Sequence, residues 1–178
     1  MRIHQRLQER ILDDLFSRLE RQGLVEYGDP PDECHELLRS ILVDDLKSDE
    51  ELEEEVSRII EVNRDKFREV PAYQMTSQIR RQVARDRGII LDNENRLRDI
   101  ARKMTEAIWS SDAFSEVFAE DESLRKFIRL VFEHHLAVEE RLREEAKKRI
   151  RNVEFGSTEY EVQFRRVMDE LREREGMA

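Results

Sequence analysis

Apolar residues recur at helical spacing along nearly the whole of this chain. Ile3, Leu7, Ile11, Leu15 and Leu19 repeat every four residues, with Leu12 and Phe16 widening the stripe. That spacing predicts an amphipathic first helix. Gly23 follows as its stop, because glycine takes the left-handed conformation past a helix end without a Cβ penalty. Leu24 then falls where a Schellman motif places an apolar contact with Leu19. The strongest pattern lies in Asp121–Asn152, where Leu124, Phe127, Ile128, Val131, Phe132 and Leu136 line one helix face. Cys34, Leu37, Leu38, Ile41, Leu42 and Leu46 carry the same pattern earlier in the chain. Leu52, Val56 and Ile60 likewise match Leu142, Ala146 and Ile150.

Local signals divide these stripes into helices. Leu24–Asp29 reads as a short connector, and Asp29-Pro30 as the start of the first long helix, an N-cap followed by a proline whose missing N–H is harmless there. A break is expected near Lys47, because Ser48 and Glu51 form a capping box and the acidic run Asp49–Glu55 suits the positive end of a helix dipole. The run itself reads as a solvated helix start, against the alternative of a site for a metal or a basic partner. Ile59 and Ile60 carry the stripe on to Val70-Pro71, where the pre-proline residue leaves the α region. Met75, Ile79 and Val83 then mark a further helix, which Gly88 stops.

Ile89-Ile90-Leu91 forms a seam, after which the pattern restarts. Asn93 or Asn95 is expected to cap a helix through Leu97, Ile100, Ala101, Met104, Ala107 and Ile108. Within it Arg96-Leu97 repeats Arg6-Leu7, and Trp109 stands at the place of Leu19. The connector Asp112–Glu120 replaces Leu24–Pro30, with Phe114 at the place of Leu24 and Glu116 at that of Glu26. No serine cap follows Leu136, so the second long helix is expected to run straight. After Gly156-Ser157, Thr158 and Glu161 read as the capping box of a last helix. That helix turns Tyr160, Phe164, Val167, Met168 and Leu171 inward and ends at Gly176. The expected fold is all-α: two similar helical lobes from an internal duplication, elongated, built of long amphipathic helices. The repeats are residues 1–90 and 91–178. Two copies are too few for a solenoid.

Composition sharpens this picture. With 42% charged and 38% hydrophobic residues the core is lean, which long helices tolerate by burying one stripe each. A net charge of −10 argues against a broad grip on nucleic acid or on an anionic membrane surface. The single cysteine, Cys34, fits a reducing compartment. No N-terminal apolar run resembles a signal peptide, and no stretch reaches the ~18 continuous apolar residues of a membrane span. A cytoplasmic location without membrane association is expected.

Chemistry-bearing motifs are scarce. The chain has no HExxH, no Glu-x-x-His pair and no glycine-rich phosphate loop. His135 with Glu139, and the adjacent Cys34-His35, are the nearest approach to ligand pairs, and each lacks further partners at a metal-binding spacing. The simpler reading places His134 and His135 beside a packed stripe and Cys34 in the core. No catalytic, cofactor-binding or metal-ligating residue is therefore assigned, and no cofactor is expected. Arg80, Arg81, Arg85 and Arg87 cluster beside the seam; Lys147, Lys148, Arg149 and Arg151 cluster late in the second long helix. Without interleaved aromatics these clusters read first as helix-end cations paired with nearby acids. Asp45 and His135 occupy equivalent borders of the two stripes, where they either lean into water or meet as a charged pair.

Three short blocks carry a family likeness: Gly23-Leu24-Val25-Glu26-Tyr27, the seam Arg87-Gly88-Ile89-Ile90-Leu91, and Gly156-Ser157-Thr158-Glu159-Tyr160-Glu161-Val162. Through them nearly the full chain resembles a duplicated form of a bacterial family, domain-of-unknown-function number 507. The resemblance implies a small helical bacterial cytoplasmic protein and supplies no activity or catalytic residue. The expected function is that of a non-enzymatic helical interaction module, or adaptor, for a protein partner. Apolar connector residues Tyr27, Phe114, Val117 and Phe118 are its candidate contacts. The alternative is a nucleic-acid- or ribosome-associated factor using the seam arginines, with an enzyme third.

Overall fold

The computed structural model describes residues 3–63, 72–150, 153 and 157–175. Among them the elements run α1 (Gln5–Arg21), β1 (Val25–Tyr27), α2 (Asp32–Val62), α3 (Ala72–Arg87), α4 (Asn93–Ser110), β2 (Phe114–Val117), α5 (Asp121–Arg149) and α6 (Thr158–Arg174). The fold is all-α, with one two-stranded ribbon. Contacts gather the chain into two compact units, Met1–Val131 and Phe132–Ala178. Their boundary lies inside α5, whereas the sequence pattern repeats about the seam after residue 90.

In the first unit, α1 buries Leu7, Ile11, Leu12, Leu15 and Leu19, the stripe expected of it. α2 contributes Cys34, Leu38 and Leu42, α4 contributes Leu97, Ile100, Met104 and Ile108, and α5 contributes Leu124, Ile128 and Val131. Gln8 is buried with them, and its Nε2 donates to the Leu42 carbonyl at 2.9 Å, tying α1 to α2. Farther along, α2 and α3 form a hairpin around Leu52, Val56, Val83 and Ala84, with Ile59, Ile60, Ile79, Ile89 and Leu91 packed against them. In the second unit, α5 and α6 form a hairpin around Leu142, Ala146, Val167, Met168 and Leu171. The burial pattern of residues 31–60 recurs over 121–150, differing only at Ile41/Val131, Ser48/Val138 and Ile59/Arg149.

Glycine stops behave as the sequence predicts. Gly23 has φ 61°. The Leu24 N–H donates to the Leu19 carbonyl at 3.0 Å and that of Gly23 to Glu20 at 2.9 Å, a complete Schellman motif. Gly88, with φ 68°, repeats it through Ile89 to Ala84. Val70-Pro71, Arg151, Gly156 and Gly176 lie outside the described residues.

Several local expectations are corrected. The long helix does not break near Lys47: α2 runs unbroken for 31 residues. Ser48 there caps nothing; its Oγ donates to the Asp44 carbonyl one turn back at 2.8 Å, a bond that competes with capping and lets serine sit inside a helix. Nor does Asp29 cap α2. Its peptide bond to Pro30 is cis, and the helix opens at Asp32 behind Pro31. In α4 the cap is Asp92, whose carboxylate accepts the Asn95 N–H, in place of Asn93 or Asn95. In α6 it is Ser157, one residue before Thr158, accepting from Tyr160 at 3.1 Å. The two connectors are not independent loops. They pair as antiparallel strands with Val25 opposite Val117, Glu26 opposite Glu116 and Tyr27 opposite Phe114, shifted by a bulge between Glu26 and Tyr27.

Candidate functional site

Three polar or semi-polar features stand out from this scaffold. The ribbon is the first. Gly28 donates its N–H to the Ala113 carbonyl at 2.7 Å, and a Cβ on Gly28 would lie 2.5 Å from that oxygen. The same carbonyl accepts the Cys34 thiol at 2.8 Å. Tyr27 donates its hydroxyl to the Phe16 carbonyl at 2.7 Å, and His35 stacks on the Phe16 ring at 3.5 Å. Burial pushes the Cys34 thiol up from its ordinary pKa; burial and the charge of Glu20 do the same to the Tyr27 phenol. Gly28, Cys34 and Tyr27 are hydrogen-bonded within the fold, and with His35 stacked on Phe16 they act as its cross-braces. Phe114 is buried, while Phe118, at 59% exposure, faces solvent.

The acidic run is the second feature. In the middle of a helix it cannot serve as a dipole cap, and it receives arginines from two other elements instead. Arg96 of α4 grips Asp45 in a two-pronged contact, Nε to Oδ1 at 2.9 Å and Nη2 to Oδ2 at 2.7 Å. Its Nη1 reaches Asp49 at 3.3 Å. Arg80 of α3 lies 3.6 Å from Asp49 and 2.9 Å from Glu53, and Arg87 approaches Glu51 and Glu55. Asp49 and Arg96 are both buried. Burial alone would lower the pKa of Arg96, but the hydrogen bonds and charges of Asp45 and Asp49 outweigh it and raise the value. Asp45 therefore neither leans into water nor depends on a histidine. The seam patch is correspondingly depleted: Arg80 and Arg87 face carboxylates, and Arg81 donates to Ser77. In the later cluster Lys147 pairs with Glu144, and Arg149 with Glu145.

The third feature is a groove of about 320 Å³ along the α5–α6 hairpin, lined by Glu139, Arg143, Tyr160, Glu161, Phe164, Arg165, Met168 and Arg172. Tyr160 and Phe164, expected to point inward, are only half-buried, and their rings stack at 6.1 Å. Glu139 is buried and accepts from Arg172 at 2.6 Å, with the Arg143 Nε 3.6 Å away. Glu139 is thus met by arginines, one from α6 and one from its own helix. The first hairpin makes an instructive contrast. At the places of Glu139, Arg143 and Met168 it carries Asp49, Glu53 and Arg80, and Arg80 closes over both carboxylates.

Among the described residues, no group of three or more His, Cys, Asp or Glu side chains is arranged to hold a metal, and no helix is long and apolar enough to cross a membrane. These features define an all-α protein of charge-laced helical hairpins. The chain belongs to the family described as protein of unknown function (DUF507), whose model matches residues 1–177. No curated protein matches the sequence.

Proposed function

We propose that this protein is a non-enzymatic helical adaptor whose α5–α6 groove receives a protein partner, in the bacterial cytoplasm. One observation carries the reading: Tyr160 and Phe164 stay half-buried along the α5–α6 groove, whereas on the α2–α3 hairpin Arg80 stands in ion pairs with Asp49 and Glu53. An open apolar floor bordered by charge is the usual character of a partner-binding surface. Internal duplication belongs to the same proposal, since a repeated hairpin frees one copy to diverge from packing toward recognition. The repeated burial pattern of α2 and α5 supports it.

Affinity capture from cells of the source organism tests the adaptor reading. Wild-type protein is compared with Phe164→Arg, which fills the groove, and with Arg81→Glu/Arg85→Glu, which reverses the seam arginines not committed to α2 carboxylates. A partner retained by the wild type and lost only with Phe164→Arg is expected. Retention of nucleic acid that disappears with the seam reversal and falls steeply with salt would overturn it.

A further inference from the structure

The net charge of the chain is not spread along it. Residues 22–38 hold five carboxylates and no lysine or arginine, and residues 107–124 hold five more and again none. The remaining sequence carries 32 acidic and 32 basic side chains, so the whole net charge of −10 rests on these two segments. Far apart in the chain, they meet within the first unit. There β1 pairs with β2, the Gly28 N–H donates to the Ala113 carbonyl, and the Phe118 N–H donates to that of Leu24. Tertiary structure thereby gathers the net charge at the ribbon and at the starts of α2 and α5.

Most of this charge is unanswered. Glu36 pairs with Arg39 and Asp121 with Arg125; the other eight carboxylates are exposed and make no ion pair among the described residues. Asp32, Glu33, Asp121 and Glu122 stand in the first turns of helices, where the dipole favours an acid. The ribbon has no such reason for its charge. Glu26 stands directly opposite Glu116, and like charges so placed weaken a sheet. Phe118, 59% exposed, follows β2 immediately, and Trp109, 51% exposed, lies on the last turn of α4 that leads into it. Carboxylates around an exposed aromatic side chain match a cationic partner that has an apolar residue to bury. A metal ion fits less well, because no three His, Cys, Asp or Glu side chains converge among the described residues, and nucleic acid is repelled. We infer that the ribbon docks a Lys- and Arg-rich segment of a partner protein, with Phe118 as its apolar contact. This surface makes no use of the α5–α6 groove, so either reading can fail without the other.

The test is a selection from a displayed library of random peptides of about 12 residues, up to ~40 Å when extended, on the full-length protein. Wild type, Glu26→Lys/Glu116→Lys, Phe118→Ser and Phe164→Arg serve as baits, with circular dichroism verifying that each variant keeps its helix content. Expected from the wild type are peptides with a clear excess of Lys and Arg and an aromatic or aliphatic residue among them. Such a peptide should bind Glu26→Lys/Glu116→Lys and Phe118→Ser each about tenfold more weakly. It should also lose affinity as salt rises, and bind Phe164→Arg as it binds the wild type. Peptides without a basic excess, or indifferent to Glu26→Lys/Glu116→Lys, would overturn the inference. A basic peptide that binds Phe118→Ser undiminished, and binds equally well with its residue order scrambled, would reduce the ribbon to diffuse counterion attraction and remove the docking site. Loss of binding with Phe164→Arg alone would assign the peptides to the groove and overturn the ribbon surface. Displacement of the peptide by calcium at constant ionic strength would give the carboxylates to a divalent cation, with the same consequence.

Discussion

Replacing Arg96 by methionine keeps an unbranched stem against α2 and removes the charge from between Asp45 and Asp49. The side chain of Arg96 is 10% exposed, and those of Asp45 and Asp49 are 18% and 8% exposed. Two carboxylates one helical turn apart are then left largely out of water. Removing one partner of a buried pair costs about 3–5 kcal/mol. The lower end applies here, because Arg80 still stands 3.6 Å from Asp49. At a urea dependence of ~2 kcal/mol per molar, the midpoint should fall by about 1.5 M. Adding Asp45→Asn to Arg96→Met should restore part of the loss, since it discharges the carboxylate the arginine gripped most closely. Arg96→Lys should restore little, because a lysine cannot reproduce the two-pronged contact. Urea melts of these four proteins and of Asp45→Asn alone, with slopes compared, measure all of this. A midpoint shift below about 0.5 M would refute the reasoning, since it would put the cluster on the scale of an exposed ion pair. So would full additivity of Asp45→Asn and Arg96→Met.

Other expectations follow from single contacts. Gly28→Ala should destabilise more than Gly23→Ala in thermal melts. The first drives a Cβ into the Ala113 carbonyl at 2.5 Å, while the second, in open space at φ 61°, loses only the ~1–2 kcal/mol of a left-handed non-glycine residue; the reverse order would deny the close approach. Ser48→Ala should be neutral or slightly stabilising, whereas Asp92→Ala and Ser157→Ala, which remove true caps, should each cost about 1 kcal/mol. Tyr27→Phe deletes the hydroxyl donated to the Phe16 carbonyl and should cost about 1 kcal/mol by denaturant melt, with no change in helix content. The Cys34 thiol has its pKa raised by burial, so its contribution is complete below the unfolded thiol value and fades as pH rises through the folded one. The stability gap between wild type and Cys34→Ala should therefore narrow above about pH 8.5. Parallel curves from pH 8 to 10 would exclude that linkage.

The sequence by itself determined the helices and their stops. A stripe of apolar residues at period 3.6 has no other way to leave water, and a glycine after it closes the helix through two backbone bonds that need no tertiary partner. Ile3–Leu19, Gly23, Gly88 and the matching stripes of α2 and α5 were legible for that reason. Choices among local alternatives were not. Ser48 with Glu51 spells a capping box, yet Leu42, Leu52 and Val56 share one continuous buried face, and a break would take half of it out of the core. Asp92 and Ser157 won their caps over neighbours of equal propensity through one-residue differences in where each helix begins. The ribbon required two connectors far apart in the chain to meet, which no local pattern encodes. Charge was the least legible. Acidic and basic residues at helical spacing look alike whether they face water or each other, and only packing α3 and α4 against α2 put Arg80 and Arg96 onto Asp45, Asp49 and Glu53. The groove has the same origin. Tyr160 and Phe164 read as core because their period is that of a core, and tertiary structure left them only half-buried while Met168 on the same row went into the core.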